Sequence, residues 1–338
     1  MNGDSMNSKD RAALAVKATA AEESWAQMCA GLGALLWAVV AVLARIGVAP
    51  IGAVELMFLF APLVVVPLGM ELARVIGVNS PLAGFARRVQ PAAAALTLVA
   101  LWLPPGRLAG SLACTWMAVC LSITAAGVID LSALARSPGD SSVRSAVYRF
   151  VVAIAYLDLG VGGAWFVASR FGMRPMGIQE PIGLLTAVHF HFAGFATAMI
   201  AAAMLRFAEQ RGEHRWLRWL VAIVAGMPLV VAAGFVISPL VKMGAGVIFS
   251  VSVAALAVVL RSCTKRLQSR TARVLFHVAA MAVFTAMVLS TAYALADFHG
   301  SDVLPIPQMA RTHGILNAVG FCLPGMLGWL VENGAASQ

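Results

Sequence analysis

Charged residues are scarce in this sequence. Aspartate, glutamate, lysine and arginine make up 12% of the 338 residues, whereas a soluble domain has about a quarter. Because 61% of the residues are hydrophobic, an ordinary soluble fold is excluded. The net charge of +9 does not indicate nucleic acid as a partner, since the basic residues lie in short segments between apolar runs.

Cysteine is also sparse, and its positions follow no metal-site spacing. The five cysteines are Cys29, Cys114, Cys120, Cys263 and Cys322. A scattered, odd-numbered set excludes a disulfide framework and favours free buried thiols. The sequence shows neither a nucleotide-binding motif nor a dedicated soluble domain. We therefore expect no cofactor and no bound metal.

Ten apolar segments, bounded by charges or by proline and glycine, predict ten membrane-spanning helices of about 20 residues. They cover residues 29–47, 51–71, 90–105, 108–130, 147–169, 181–206, 216–237, 239–260, 274–296 and 308–331. The third segment is short, so it is either a tilted span or half of a re-entrant hairpin. The prediction is an all-α, polytopic membrane helix bundle. Its parts are a polar cytoplasmic segment (1–28), a single transmembrane domain (29–331) and a cytoplasmic tail (332–338).

The loop charges predict an orientation for these ten helices. With the N-terminus inside, 18 of the 24 lysines and arginines fall on the inner side. Orientation by loop charge produces such a bias, so both termini are expected in the cytoplasm. The sequence shows no convincing internal repeat, which weakens the interpretation as an inverted-repeat transporter.

Several ionisable side chains lie inside the predicted spans, where a charge is expensive and marks a functional site or a paired structural one. Depths follow from a rise of about 1.5 Å per helical residue. By this count Glu55, His189, His191, Arg311, His313 and Asn317 lie in the outer half of the bilayer, and Asp158 lies near its middle. This one-sided distribution predicts a cavity that opens toward the outer face.

His189 and His191 are two residues apart, so on a helix their side chains point about 200° apart and cannot chelate one metal ion. At most one of them faces a cavity. His189 shares a helical face with Thr186 and Ala193. The structural alternative for either histidine is a packing residue that is hydrogen-bonded to a neighbouring helix.

His313 and Asn317 are four residues apart and share a helical face. Asn317 can therefore tune His313 as a proton donor or acceptor. Arg311 points elsewhere, and it either positions an anionic group or forms a salt bridge with Asp297 or Asp302 at the membrane surface.

Glu55 and Asp158 are the carboxyl groups inside spans that loop topology does not explain. Removal from water favours the neutral form of a carboxyl group, which can act as a general acid. The structural alternative is a pairing that fixes helix packing. Trp165, Phe195 and Tyr293 are candidates for the lining of a lipophilic or cationic pocket, although such aromatic residues more often face lipid.

Several stretches resemble the YndJ-like integral membrane proteins of bacteria. They are VELMFLFAPLVVVPLGMELA, QPAAAALTLVALWLPPG, GGAWFVASRFG, LLTAVHFHFAGFA, ARTHGILNAVGF and a late LGWL. The likeness covers most of the chain from about residue 50. It places Glu55, His189, His191, Arg311, His313 and Asn317 in the motif regions of the family. The resemblance implies a multi-pass protein of the bacterial cytoplasmic (inner) membrane and supports the site, but it implies no particular reaction.

These observations favour an intramembrane enzyme that uses acid–base chemistry on a lipophilic small molecule. The expected reaction is cyclisation, isomerisation or dehydration of a terpenoid- or polyketide-like substrate. Glu55 or Asp158 would be the general acid, a histidine the base, and Arg311 with Asn317 the positioning groups. Two alternatives stay open: a haem, quinone or metal redox protein with histidine ligands, and a proton-coupled transporter. The expected partners are the substrate and membrane lipid, with no nucleic acid.

Overall fold

The computed structural model describes residues 8–136, 143–212, 215–301 and 305–336, and this part of the chain forms ten long helices and no strand. The helices are α1 (Ser8–Arg45), α2 (Ala53–Val75), α3 (Pro81–Trp102), α4 (Arg107–Arg136), α5 (Val143–Phe171), α6 (Ile182–Glu209), α7 (Arg215–Ile237), α8 (Pro239–Cys263), α9 (Arg270–Phe298) and α10 (Ile306–Ala335). Each predicted span coincides with one of them. The prediction of an all-α, polytopic bundle is confirmed.

Nine of the helices within the described residues are long and apolar enough to cross a membrane, and α3 is the exception. Its 22 residues give a length of about 33 Å, but Arg87, Arg88 and Gln90 make its first half polar. Gln90 is buried there and donates a side-chain hydrogen bond to the carbonyl of Pro62 on α2. Helix α3 begins well before residue 90 and packs against α4, so it is longer than the predicted third segment.

The structure shows how the chain is arranged at both ends of the predicted transmembrane domain. Helix α1 begins at Ser8, so the polar N-terminal segment continues into the first apolar stretch, which starts at Trp25. At the other end, Glu332 is buried and accepts hydrogen bonds from the backbone N–H groups of Gln268 and Ser269, at 2.9 and 3.0 Å. Glu332 therefore holds the backbone of the two residues that precede α9.

Helices α2 and α6 form the centre of the bundle. Of their most apolar stretches, 78% and 89% are buried within the protein, against 22% for α1 and 28% for α7. Both central helices contain a π-helical segment, at Ala61–Val65 and Phe190–Ala196, and α10 contains two, at Ala310–Gly314 and Leu316–Cys322. The π-helical segment of α6 contacts the one in α2 and the Leu316–Cys322 segment of α10. Such segments often occur at functional sites, and the histidines predicted from the sequence lie in or beside them.

Candidate functional site

A cavity of about 760 Å³ lies at one end of the bundle, among α2 and α5 to α10. Its walls come from the part of each helix nearest this end, which the loop charges predict to be the outer side. Most of its lining is apolar. The polar side chains are Thr186, His189, Thr197, Lys242, Ser290, Tyr293, Asp297, His313 and Asn317. Both the volume and this mixture of many apolar groups and a few polar ones are typical of small-molecule sites.

His189 faces the cavity from α6. Its Nδ1 lies 2.8 Å from the carbonyl oxygen of Leu185. Because a carbonyl only accepts hydrogen bonds, Nδ1 carries a proton, and in the neutral ring the lone pair is then on Nε2. This Nε2 has no hydrogen-bond partner among the described residues. Thr186 and Ala193 line the cavity on the same helical face, as the sequence predicts.

His313 faces the same cavity from α10. Its Nδ1 donates to the carbonyl oxygen of Ala286 on α9 at 2.9 Å. Its Nε2 accepts from the side-chain amide of Asn317 at 3.0 Å, and the same amide nitrogen lies 3.2 Å from the carbonyl of His313. The predicted contact between His313 and Asn317 is confirmed. The ring is therefore a neutral group that joins α9 to α10, with both nitrogens engaged.

The cavity brings together residues that are far apart in the chain. Five of the predicted site residues line it: Trp165, His189, Tyr293, His313 and Asn317. The cavity thus holds one histidine with a free nitrogen beside a histidine–asparagine pair.

His191 lies on the opposite face of α6 and outside the cavity, so its predicted catalytic role has no geometric support. The ring is fully buried. Its Nδ1 donates to the carbonyl oxygen of Ala187 at 2.8 Å, and its Nε2 accepts from the indole N–H of Trp116 on α4 at 3.0 Å. Phe58 lies edge-on against the same ring. His191 is a neutral packing residue that joins α6 to α4, which is the structural alternative that the sequence left open.

Glu55 is also absent from the cavity lining, although Val54 beside it contributes. Glu55 lies in the first turn of α2 and interacts electrostatically with Arg170, as does Glu180. The guanidinium of Arg170 is buried and donates to the hydroxyl of Ser169 at 3.3 Å. Glu55 therefore lacks the contact with the cavity that a general acid acting within it would need. The sequence placed Arg170 in an outer turn and gave no sign of its burial.

Three further predicted residues lie outside the cavity. Phe195 is fully buried and stacks with Tyr156, which leaves it no contact with a ligand in the cavity. Arg311 is exposed on the surface of α10. Asp158 is fully buried in the interface between α5 and α6. Sequence position predicts a depth for each residue, but it does not give the side of the helix that faces the cavity.

An ion pair at the mouth of the cavity was not predicted. Lys242 on α8 and Asp297 on α9 lie 2.7 Å apart, and both line the cavity. The Lys242 ammonium also lies 4.9 Å from the ring centre of Phe235, a cation–π contact. Asp297 therefore pairs with Lys242 and not with Arg311, and Asp302, the other predicted partner, lies outside the described residues. Lys242 lies inside an apolar segment of the sequence, and this position was the available signal for a buried ion pair. Loop-charge counting instead assigns Lys242 to an outer turn.

Histidine ligation of a metal or haem has little support in this geometry. Among the described residues, no group of three histidine, cysteine, aspartate or glutamate side chains could hold a metal ion. Both nitrogens of His191 and of His313 already have hydrogen-bond partners. A second histidine ligand opposite His189 would require His313 to lose its contact with Asn317.

Comparison with known proteins identifies the family. A family model described as YndJ-like protein matches residues 56–321. The chain belongs to the YndJ-like family. The matched region contains His189, His313 and Asn317, and it begins one residue after Glu55.

A curated YndJ-like relative is the uncharacterized membrane protein YndJ of Bacillus subtilis (strain 168), which is 27% identical over 186 residues. The alignment covers 54% of this chain and 33% of the relative, so the chain spans about a third of the relative's length. No solved structure matches. The name of the relative agrees with the ten-helix bundle in assigning this chain to the membrane proteins.

Proposed function

We propose that this YndJ-like protein is an intramembrane enzyme that binds a lipophilic small molecule in the cavity and moves a proton on it. The observation that carries the proposal is the position of His189. Its neutral ring presents an unpartnered Nε2 to an apolar cavity of about 760 Å³, beside the His313–Asn317 pair. Such a nitrogen can act as a general base, a role that contributes about 10²- to 10⁴-fold to a reaction rate.

The shape of the cavity supports a substrate that enters from the membrane. Phe235 and Val236 line the cavity and are also more than half exposed at the surface of the bundle. This surface of α7 would face lipid, so an apolar molecule can reach the cavity without crossing water. The polar side chains at the mouth and around His189 would bind a substrate that carries at least one polar group.

The positions of the carboxyl groups of Glu55 and Asp158 limit the reactions that the cavity can support. Cyclisation or dehydration that begins with protonation needs a strong acid, but Glu55 and Asp158 both lie outside the cavity, and Asp297, which lines it, is ion-paired with Lys242. A histidine base suits isomerisation. The Nε2 atom of His189 takes a proton from one carbon of the substrate and returns it to another. A C–H bond breaks, an N–H bond forms, and both changes are reversed, so no co-reactant is needed. A terpenoid- or polyketide-like molecule with an activated C–H bond fits this chemistry.

The membrane setting of the proposal follows from the charges of the loops. We place the protein in the bacterial cytoplasmic membrane with both termini inside, so that the cavity faces the outer leaflet. The basic residues in the inner loops then contact lipid headgroups, and nucleic acid is not an expected partner.

Isotope exchange tests this function. Purified protein with its co-purified lipophilic molecules would be incubated in deuterated buffer, and deuterium uptake into those molecules would be measured by mass spectrometry. We expect uptake by the wild type and loss of at least 100-fold in His189→Gln. The matched control is His277→Gln, since His277 is exposed on α9 away from the cavity. Equal uptake by wild type and His189→Gln would refute the assignment of the base.

A further inference from the structure

The carboxyl group of Asp158 is buried without a partner. The residue has no solvent-accessible surface, and neither carboxylate oxygen has a hydrogen-bond partner. A buried polar group without a hydrogen bond costs about 2–7 kcal/mol, and an isolated charge costs far more. Ionisable residues within membranes are almost always paired, so this one requires an explanation. The proposed chemistry at His189 does not use it.

Asp158 lies near the middle of the membrane-spanning part of α5. At 1.5 Å per residue it is about 17 Å from Val147 and about 20 Å from Phe171, the two ends of this span. Val161 and Trp165 follow it by three and seven residues, so the three side chains share one stripe of the helix. Val161 and Trp165 line the cavity, and so do Ala193 and Thr197, which flank the Gly194 against which Asp158 packs; Asp158 therefore lies beside the inner part of the cavity.

The interface between α5 and α6 encloses this carboxyl group tightly. Asp158 packs against Gly194, in the π-helical segment of α6. A Cβ atom on Gly194 would lie 2.6 Å from Cβ and 2.8 Å from Oδ2 of Asp158. Glycine is therefore needed at this position for the carboxyl group to fit, and no space for water is left between the two residues.

No charged group compensates for the burial. Helices α4, α6 and α7 pack against α5. The titratable side chains buried around this interface are Cys120 on α4, Tyr156 on α5 and His191 on α6. Asp158 forms an ion pair with none of them, and the nitrogens of His191 are both engaged elsewhere. An ionised carboxylate would thus be unpaired in a low-dielectric environment.

We propose that Asp158 is a proton-binding site at the middle of the membrane. The carboxyl group holds a proton while the interface between α5 and α6 is closed, and it releases the proton when this interface opens to water. Ionisation of Asp158 and closure of the interface exclude each other, since the closed interface offers the charge neither water nor a counter-ion. The YndJ-like protein thereby acquires a proton-linked conformational equilibrium beside its cavity.

Infrared spectroscopy of the full-length protein tests this site. At neutral pH we expect the wild type to show the carbonyl stretch of a protonated carboxylic acid without hydrogen bonds, and Asp158→Asn to lack it. The control is Asp130→Asn, because Asp130 is paired with Arg149 and should contribute no such band. If the wild-type and Asp158→Asn spectra agree in this region, the proposal is wrong. If the band is absent and sodium raises the Tm of wild type alone, the site holds sodium and the proton assignment is wrong.

Thermal unfolding gives a second readout. The folded protein holds a proton that an unfolded chain releases at neutral pH, so stability should fall as the pH rises, and Asp158→Asn should remove this dependence. An equal loss of stability with rising pH in the wild type and in Asp158→Asn would overturn the proposal. If Asp158→Asn does not fold, Gly194→Ala replaces it: the added methyl forces the interface apart and should abolish the infrared band. Persistence of the band in Gly194→Ala would contradict the proposal.

Discussion

The hydrogen bond between Trp116 and His191 provides a quantitative test of the packing role of His191. We would replace the two residues singly and together, as Trp116→Phe, His191→Leu and the double variant. Each single change leaves one buried polar group without its partner, because the indole N–H and Nε2 are 3.0 Å apart and both residues are fully buried. The double variant contains neither the indole N–H of Trp116 nor Nε2 of His191, so neither group is left unpaired.

The expected magnitudes follow from this burial. An unsatisfied buried donor or acceptor costs about 1–3 kcal/mol, so each single variant should lose roughly that much stability. The double variant should lose less than the sum of the two, with a coupling of about 1–2 kcal/mol, within the range found for residues in contact. His191→Leu should also leave proton exchange in the cavity unchanged in the folded fraction, since the ring does not line the cavity.

The assay is reversible unfolding in mixed micelles, followed by tryptophan fluorescence and circular dichroism. Trp37→Phe is the matched control, because the indole of Trp37 donates to a backbone carbonyl, that of Leu56, at 2.7 Å. It should show no coupling to His191→Leu. Additive effects of Trp116→Phe and His191→Leu, or a loss of exchange in folded His191→Leu, would refute the packing role.

Three further predictions follow from other contacts. Asn317→Leu removes the donor to Nε2 of His313, so deuterium uptake should fall 10-fold or more while the Tm changes little; unchanged uptake would exclude a role for the pair. Glu332→Ala removes the acceptor for two backbone N–H groups before α9 and should cost about 1–3 kcal/mol in unfolding experiments, whereas a change below 0.5 kcal/mol would show that the cap is dispensable. Reporter fusions at the turns before and after α3 should report opposite sides of the membrane, and a shared side would show that α3 does not cross.

The sequence was sufficient to predict the helices. Apolar length and loop charge depend on local composition, and ten helices lie where those signals put them. The opposite directions of His189 and His191 and the contact between His313 and Asn317 follow from helical geometry alone. These features require no knowledge of which helices are neighbours.

Rotation of each helix about its axis was harder to predict. In a soluble protein the apolar face of a helix shows which side is buried, but in a membrane lipid and the protein interior are equally apolar. The sequence therefore predicts a depth for Glu55 and Asp158, but it does not show which neighbouring helix each side chain faces. Phe195 illustrates a second reason, since it lies in a π-helical segment, where the spacing of side chains departs from 3.6 residues per turn.

Charged residues near helix ends were misinterpreted for a related reason. Lys242 and Arg170 both count as loop charges in a topology analysis, yet one lines the cavity and the other is buried beside it. Lys242 forms its ion pair with Asp297, which lies on another helix. Only the assembled bundle shows these contacts.

The central claim is that the cavity holds a lipophilic molecule, and a blocked cavity tests it most directly. Gly246 lines the cavity, whereas Gly244, two residues before it on α8, has open space around it and does not line the cavity. Native mass spectrometry of the purified proteins should show a bound lipophilic molecule in the wild type and in Gly244→Trp, and none in Gly246→Trp. The same molecule bound equally to all three would contradict the account.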